Sequence, residues 1–361
     1  MSISPFMTPG QSRQRRASSA RRRRRRRMLL AALLLLVAVA AIAVARGDTS
    51  TRSDRHAAGG ARAGARAVPA PAARHSQSGL ALGQPPLKLS GAGDAQQDPV
   101  RVAFRDPPRA GILFNLSTGQ VLWQRNPYTV LPMASLTKMM TALLTVESAP
   151  PNAPVRVTRE AVNADGSKVG VLPLGKHVRL ESMLYGLLLP SGNDAAVALA
   201  QHVAGSVNRF VLRMNAEAAK LGLGCTRYSS PSGYYDRGNY TCAADLAELA
   251  HADLQQPRIA AVTRTYSAVL PFPIKGGKLY LYNNNPLLIY GYPGVTGLKT
   301  GQTEAAGRCL VATAERHGVR LGVVLLHSPA PGAQAKELLD SAFQGVYHQA
   351  PVPEPPIPPS A

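Results

Sequence analysis

Eighteen consecutive apolar residues, Met28 to Ala45, follow directly on seven arginines, Arg21 to Arg27. As a helix such a run rises roughly 27 Å, just enough for the hydrocarbon core of a bilayer. The cationic flank fixes its own side in the cytoplasm, so everything after Arg46 is expected outside it. Small-residue patterns at Ala41-Ile42-Ala43 and Ala43-Val44-Ala45 suit a signal peptide, whereas the long polar leader suits an anchor, and both readings stay open. Lys plus Arg number 41 against 20 Asp plus Glu, a net charge of +21. Eleven of those arginines lie in residues 1–46 with no acid among them, so much of the excess belongs to membrane topology. A nucleic-acid partner is therefore not expected, because an arginine patch for that purpose rarely abuts a membrane-length apolar run.

The flanks divide from the middle by composition. Residues 1–27 read as a basic cytoplasmic segment, 28–45 as signal peptide or transmembrane anchor, and 46–98, rich in Ala, Gly, Arg, Pro, Ser and Gln, as a disordered linker. A flexible coil of that length spans on the order of 40 Å, which suits a tether. Residues 349–361 form a Pro-rich tail. The folded part is expected at 99–348. Cys225 and Cys242 lie in polar surroundings of an exported domain and are expected to form a disulfide, whereas Cys309, inside CLVATA, reads as a buried free thiol.

Within 99–348, RAGILFNLSTGQVLWQRN reads as a hairpin turning at Ser117-Thr118-Gly119, with Trp123 as core packing. A helix opens at Ser135, carrying Leu136, Met139, Met140, Leu143 and Leu144 at helical spacing. Another covers about 180–189, breaks at Pro190 and Gly192, and resumes as DAAVALAQHVAG. GRCLVATA and RLGVVLL flank Glu315 to Gly318 as antiparallel strands, and AKELLDSAFQGVY forms a last helix. Strands at both ends with helices between imply an α+β fold, an antiparallel sheet packed by helices with a helical subdomain.

Three short motifs carry chemistry. Ser135-Leu136-Thr137-Lys138 puts a hydroxyl and an amine three residues apart on one helical face, where a lysine of lowered pKa can take the serine proton. Ser191-Gly192-Asn193 sits at the helix break, and Lys299-Thr300-Gly301 near the start of the C-terminal strands. Each alone has a structural reading as cap, turn or loop. In this order the three follow the S-x-x-K, S-D-N and K-T-G signature of active-site-serine, penicillin-recognising enzymes, with Gly192 in the middle of the second.

The stretches PMASLTKMMTALL, GLLLPSGNDAAVALA and GVTGLKTGQTEAAGRCLVATAERHGVRL resemble the D-alanyl-D-alanine carboxypeptidases, the low-molecular-weight penicillin-binding proteins of serine peptidase family S11. The likeness spans nearly all of 99–348 and implies the transpeptidase fold shared by penicillin-binding proteins and β-lactamases. It implies Ser135 as the acylated nucleophile, Lys138 as its base and Ser191 as a proton-transfer partner. Asn193 would orient the substrate amide, Lys299 and Thr300 would hold the terminal carboxylate, and Gly301 would keep the strand edge open. The backbone N–H groups of Ser135 and Gln302 would form the oxyanion hole. Gly166-Ser167-Lys168 resembles a family loop near the cleft. The implied partners are peptidoglycan stem peptides as substrate and β-lactams as inhibitors, acting outside the cytoplasm, with the N-terminal segment meeting the membrane and no cofactor or metal required.

The chain also departs from that family. Many family members carry a C-terminal β-rich domain and an amphipathic membrane helix where residues 349–361 read as a Pro-rich tail, and HSPAPGAQAKELL lacks an arginine expected between the last strand and the last helix. Ser230-Pro231-Ser232-Gly233-Tyr234 stands where N-P-x-G-L is usual. A class A β-lactamase would need a Glu-x-x-Leu-Asn segment between Asn193 and Lys299, and none occurs, so slow deacylation is expected. A DD-endopeptidase and a catalytically weak peptidoglycan-binding protein are the remaining alternatives. The absence of H-E-x-x-H and G-x-S-x-G argues against metal-hydrolase and α/β-hydrolase readings.

Overall fold

The structure, a computed structural model, describes residues 87–351. The basic segment, the apolar run 28–45, most of the expected linker and most of the tail lie outside the described residues. In chain order the elements are β1 (Ala110–Asn115), β2 (Val121–Arg125), β3 (Leu131–Pro132), α1 (Lys138–Ser148), β4 (Pro154–Arg156), α2 (Arg159–Val162), β5 (His177–Arg179), α3 (Leu180–Leu188), α4 (Asn193–Ala204) and α5 (Val207–Lys220). There follow β6 (Tyr240–Thr241), α6 (Ala243–Gln255), α7 (Pro257–Thr263), β7 (Ser267–Pro271), β8 (Lys278–Tyr282), α8 (Pro286–Ile289), β9 (Val295–Thr303), β10 (Gly307–Arg316), β11 (Val319–Leu326) and α9 (Pro331–Gly345).

A five-stranded antiparallel sheet, ordered β2-β1-β11-β10-β9, separates two cores. Alternation decides which residue enters which. Leu310, Ala312, Leu321, Val323 and Leu325 pack with α9 through Leu338, Leu339 and Phe343. Their neighbours Cys309, Val311, Val324 and Leu326 face the helical body, with Met139, Met140 and Leu246. Strand β1 is buried along its whole length. The expected hairpin is present, but both faces are covered, so its two cores are built from alternate residues rather than a wet and a dry face. Trp123 packs edge-on to Phe104.

Local signals set the helix ends. Thr158 and Ser206 accept the backbone N–H of Ala161 and Arg209, caps that contribute about 1 kcal/mol each. Gly205, at φ 76°, ends α4 with its N–H on the Gln201 carbonyl. Pro331 starts α9 a full turn before the sequence pattern suggests, because proline suits the first helical turn. The tight turn after β10 is His317-Gly318 alone, since Glu315 and Arg316 still pair with β11.

Packing begins earlier than the expected domain start. Leu87 is buried in the main core, Ser90 donates to the Gly119 carbonyl, and Asp98 accepts both the backbone N–H and the side-chain amide of Gln124. Residues 87–98 are therefore not linker: single anchors, one leucine and one aspartate, fasten a segment whose composition signals none. Cys225 and Cys242 are joined as a disulfide, Cα atoms 5.6 Å apart, and Cys309 is buried and free, its thiol pushed up to about 12 by burial. Among the described residues no helix is long and apolar enough to cross a membrane.

Candidate active site

Ser135 occupies a short 3-10 turn, Ala134–Thr137, that leads into α1, rather than the first turn of the α-helix itself. Its hydroxyl caps nothing and is left to Lys138, whose Nζ lies 2.8 Å from Ser135 Oγ and also donates to the Ser232 carbonyl at 2.8 Å. Ala134 holds a left-handed φ of 50°, so the turn is forced into place by its surroundings. Gly233 supplies part of that force. It too is left-handed, φ 71°, and a Cβ there would overlap the Ala134 carbonyl and Thr137 Oγ1. Thr137 Oγ1 donates to the Ala134 carbonyl, and Thr141 Oγ1 to that of Pro231, so the Ser230–Tyr234 segment is bolted to the nucleophile turn.

Lys138 is fully buried. Burial first, and the neighbouring Lys299 charge second, hold its ammonium well below the ordinary lysine range, while Asp194 opposes them. A neutral amine within hydrogen-bond distance of a serine hydroxyl is a general base. Lys299 is also buried, and burial alone takes it down to about 7. Its Nζ donates to the Thr300 carbonyl.

The break between α3 and α4 brings the third group. Ser191 sits at φ 66° and is buried with its hydroxyl unpartnered. Asn193 donates through Nδ2 to the Asp165 carbonyl, while its Oδ1 is buried without a partner. Asp194, in the first turn of α4, accepts the N–H groups of Val169 and Gly170 and pins the loop that carries Gly166, Ser167 and Lys168. Ser167 accepts the Asn193 N–H on its carbonyl, whereas Lys168 reaches away to the Val162 carbonyl.

Strand β9 closes the site from the sheet side. It is the edge strand, with one flank free of any strand partner. A Cβ on Gly301 would lie 3.1 Å from the Ser135 nitrogen and 3.0 Å from the Met133 carbonyl, so the strand backbone runs against the nucleophile turn. Between them opens a cavity of about 520 Å³ bounded by Ser135, Ser191, Thr300, Gly301, Gln302 and Arg308 among others. Lys138, Asn193 and Lys299 are buried and are not among the residues that line it. The structure thus brings together every residue of the three motifs. Three contributors carry no motif signal that distinguishes them: the Ser232 carbonyl, Asp194, whose place beside Asn193 in a first helical turn is the one hint, and Arg308, which only strand register brings to the cavity.

A serine paired with a buried lysine of lowered pKa, between an antiparallel sheet edge and a helical body, defines an acyl-transferring serine enzyme of the penicillin-binding-protein type. The chain belongs to the D-alanyl-D-alanine carboxypeptidase family, serine peptidase S11, whose model matches residues 107–330. It is 34% identical over 275 residues to the D-alanyl-D-alanine carboxypeptidase DacF of Bacillus subtilis, covering 74% of this chain and 70% of that protein. It is 36% identical over 245 residues to DacB2 of Mycobacterium tuberculosis, covering 66% and 82%. Among solved structures it resembles the Streptomyces K15 DD-transpeptidase, with a TM-score of 0.63, 29% identity, and coverage of 67% of this chain and 99% of that one.

Proposed function

We propose that this chain is a serine-type D-alanyl-D-alanine carboxypeptidase that removes the terminal D-alanine of peptidoglycan stem peptides outside the cytoplasm. The observation that carries the reading is the 2.8 Å contact between Lys138 Nζ and Ser135 Oγ, with Lys138 buried beside a second lysine. Neutral Lys138 takes the Ser135 proton as Oγ attacks the carbonyl of the penultimate D-alanine. Negative charge gathering on that carbonyl oxygen meets the N–H groups of Ser135 and Gln302. The C–N bond then breaks, the departing amine takes a proton delivered through Lys138 and Ser191, and an ester remains on Ser135. Water, deprotonated by the same lysine, hydrolyses that ester. Asn193 Oδ1, buried and unpartnered, suits the substrate amide N–H, and Thr300 with Lys299 suits the terminal carboxylate.

A β-lactam presents a strained amide to the same hydroxyl and leaves a slowly hydrolysed acyl-enzyme, making it an inhibitor. The apolar run 28–45 supports attachment to, or export through, the cell membrane, with the following residues as a tether. The test is D-alanine release from diacetyl-Lys-D-Ala-D-Ala by the full chain and by Ser135→Ala, beside fluorescent-penicillin labelling. Release and labelling that both vanish with Ser135 support the reading. Labelling without release points to a DD-endopeptidase, the activity named for the Pseudomonas aeruginosa relative that is 34% identical over 240 residues. Neither signal in the unaltered chain would overturn the enzyme reading.

A further inference from the structure

A peptide ending in D-Ala-D-Ala brings a carboxylate into the cavity one residue beyond the bond that breaks, so the cavity needs a lasting counter-charge there. The lysines supply only part of it. Lys138 works as a base only when neutral. Lys299 is buried, its Nζ donates to the carbonyl of Thr300, and burial lowers it to about 7, working against its charged form. Arg308 differs on each count. It lines the cavity that Ser135 opens into, it is exposed, and among the described residues its guanidinium makes no side-chain hydrogen bond or ion pair. Its planar fork of N–H donors matches a carboxylate in two parallel hydrogen bonds.

Register fixes its aim. On the β9–β10 ladder Arg308 faces Gln302, and Thr300 faces Leu310. Leu310 packs on the α9 side of the sheet, whereas Val311, the partner of Lys299, packs on the helical side. Cross-strand partners share a face and alternate residues return to it, so Thr300 and Arg308 occupy one face in diagonal register while Lys299 occupies the other. The start of α9, Pro331 to Ala333, walls the same side of the cavity.

We propose that Arg308 is the carboxylate-recognition residue of this site: its guanidinium, together with the Thr300 hydroxyl, receives the terminal carboxylate of a D-Ala-D-Ala peptide and the ring carboxylate of a penicillin. The inference rests on the substrate reading given above, and deepens it by assigning specificity for a free carboxyl terminus to a residue outside the three motifs.

The test compares the full chain with its Arg308→Gln and Arg308→Lys variants. Each is assayed on diacetyl-Lys-D-Ala-D-Ala and on the same peptide with a C-terminal amide, and each is acylated with benzylpenicillin and with its methyl ester in competition with fluorescent penicillin. Arg308→Gln is expected to lower kcat/KM on the acid about 10- to 100-fold, the loss a charge-assisted contact carries, while the amide changes by less than about threefold. Arg308→Lys restores part of the difference. The penicillin acid and its ester should split in the same way. Equal losses on acid and amide, or no loss on either, overturn the assignment. An unaltered chain that releases no D-alanine counts against the substrate reading alone, because the penicillin and ester pair still decides the role of Arg308.

Discussion

Among the described residues, two clusters of buried ionisable groups have opposite characters. Beneath the cavity, Lys138 and Lys299 are both buried and both lowered, yet each donates to a named oxygen: Ser135 Oγ and the Ser232 carbonyl for one, the Thr300 carbonyl for the other. Of the unpartnered groups there, Ser191 Oγ belongs to a residue that lines the open cavity, and Asn193 Oδ1 to one whose N–H donates to the carbonyl of Ser167 in that lining. On α6 inside the helical body, Asp253 is just as buried, and burial followed by the Glu147 charge raises its carboxyl well above the ordinary range. Both its oxygens are unpartnered, as is the buried hydroxyl of Tyr228, and neither residue borders the cavity. A strongly shifted pKa therefore marks a working site only where the shifted group can reach a substrate.

The largest break in that contrast should come from a residue that never titrates. Gly233→Ala forces a side chain into the Ala134 carbonyl and Thr137 Oγ1 at a left-handed φ, displacing the turn that carries Ser135. Because reacting groups tolerate little misplacement, kcat/KM and penicillin labelling should fall by about two orders of magnitude. Labelling at the unaltered rate in a folded variant would mean that the segment does not position the nucleophile.

A smaller but more informative effect is expected from Lys299→Met. The folded pKa of Lys299 lies near 7, below the ordinary lysine value of about 10.4, so the unfolded chain holds the proton more tightly between those limits. Native stability should rise with pH across that window, and the penalty is fully present below 7. Methionine removes it, so the thermal midpoint should rise most below pH 7, with the gain shrinking towards pH 10. Acylation should respond differently. Without the Lys299 charge the pKa of Lys138 climbs, and the acid limb of the penicillin-acylation profile should move to higher pH. A limb that stays in place would remove Lys299 from the activation of the base.

How much of this the sequence displays follows from the range of each signal. S-x-x-K is legible because residues three apart share one turn, S-G-N because it sits at a helix break, and K-T-G only as a tripeptide, since it lies in the middle of β9 rather than at a strand start. The helices 180–188 and 193–204 and the strands flanking the 317–318 turn announce themselves through periodicity, Pro190, Gly192 and Gly318. Longer-range facts are silent. Nothing local tells that the Ser232 carbonyl would meet Lys138, since that contact spans 94 residues, or that β10 register would turn Arg308 into the cavity. The hairpin β7–β8 leaves Val269, Tyr280 and Tyr282 on an exposed face, a pattern that composition does not single out. Leu87 and Asp98 fasten a stretch that looks like linker because two anchors are too few to alter its composition.

The smallest expected effect tests the other half of the comparison. Asp253 has a raised folded pKa, so between the ordinary aspartate value near 3.9 and that raised value the unfolded chain gives up its proton first. Stability should therefore decline as pH rises through that window. Asp253→Asn keeps the shape, removes the titration, and offers an amide N–H where two acceptors and the Tyr228 hydroxyl now lie unmatched. We expect a gain of about 1 kcal/mol at pH 7, roughly 2–4 °C in the thermal midpoint, that vanishes near pH 4, with penicillin acylation unchanged. The like substitution in the other cluster, Lys138→Met, would also remove a buried ionisable group but abolish acylation. If Asp253→Asn instead lowered both stability and acylation, the two clusters would be coupled through α6 and α1, and the division between a working and a merely buried site would fail.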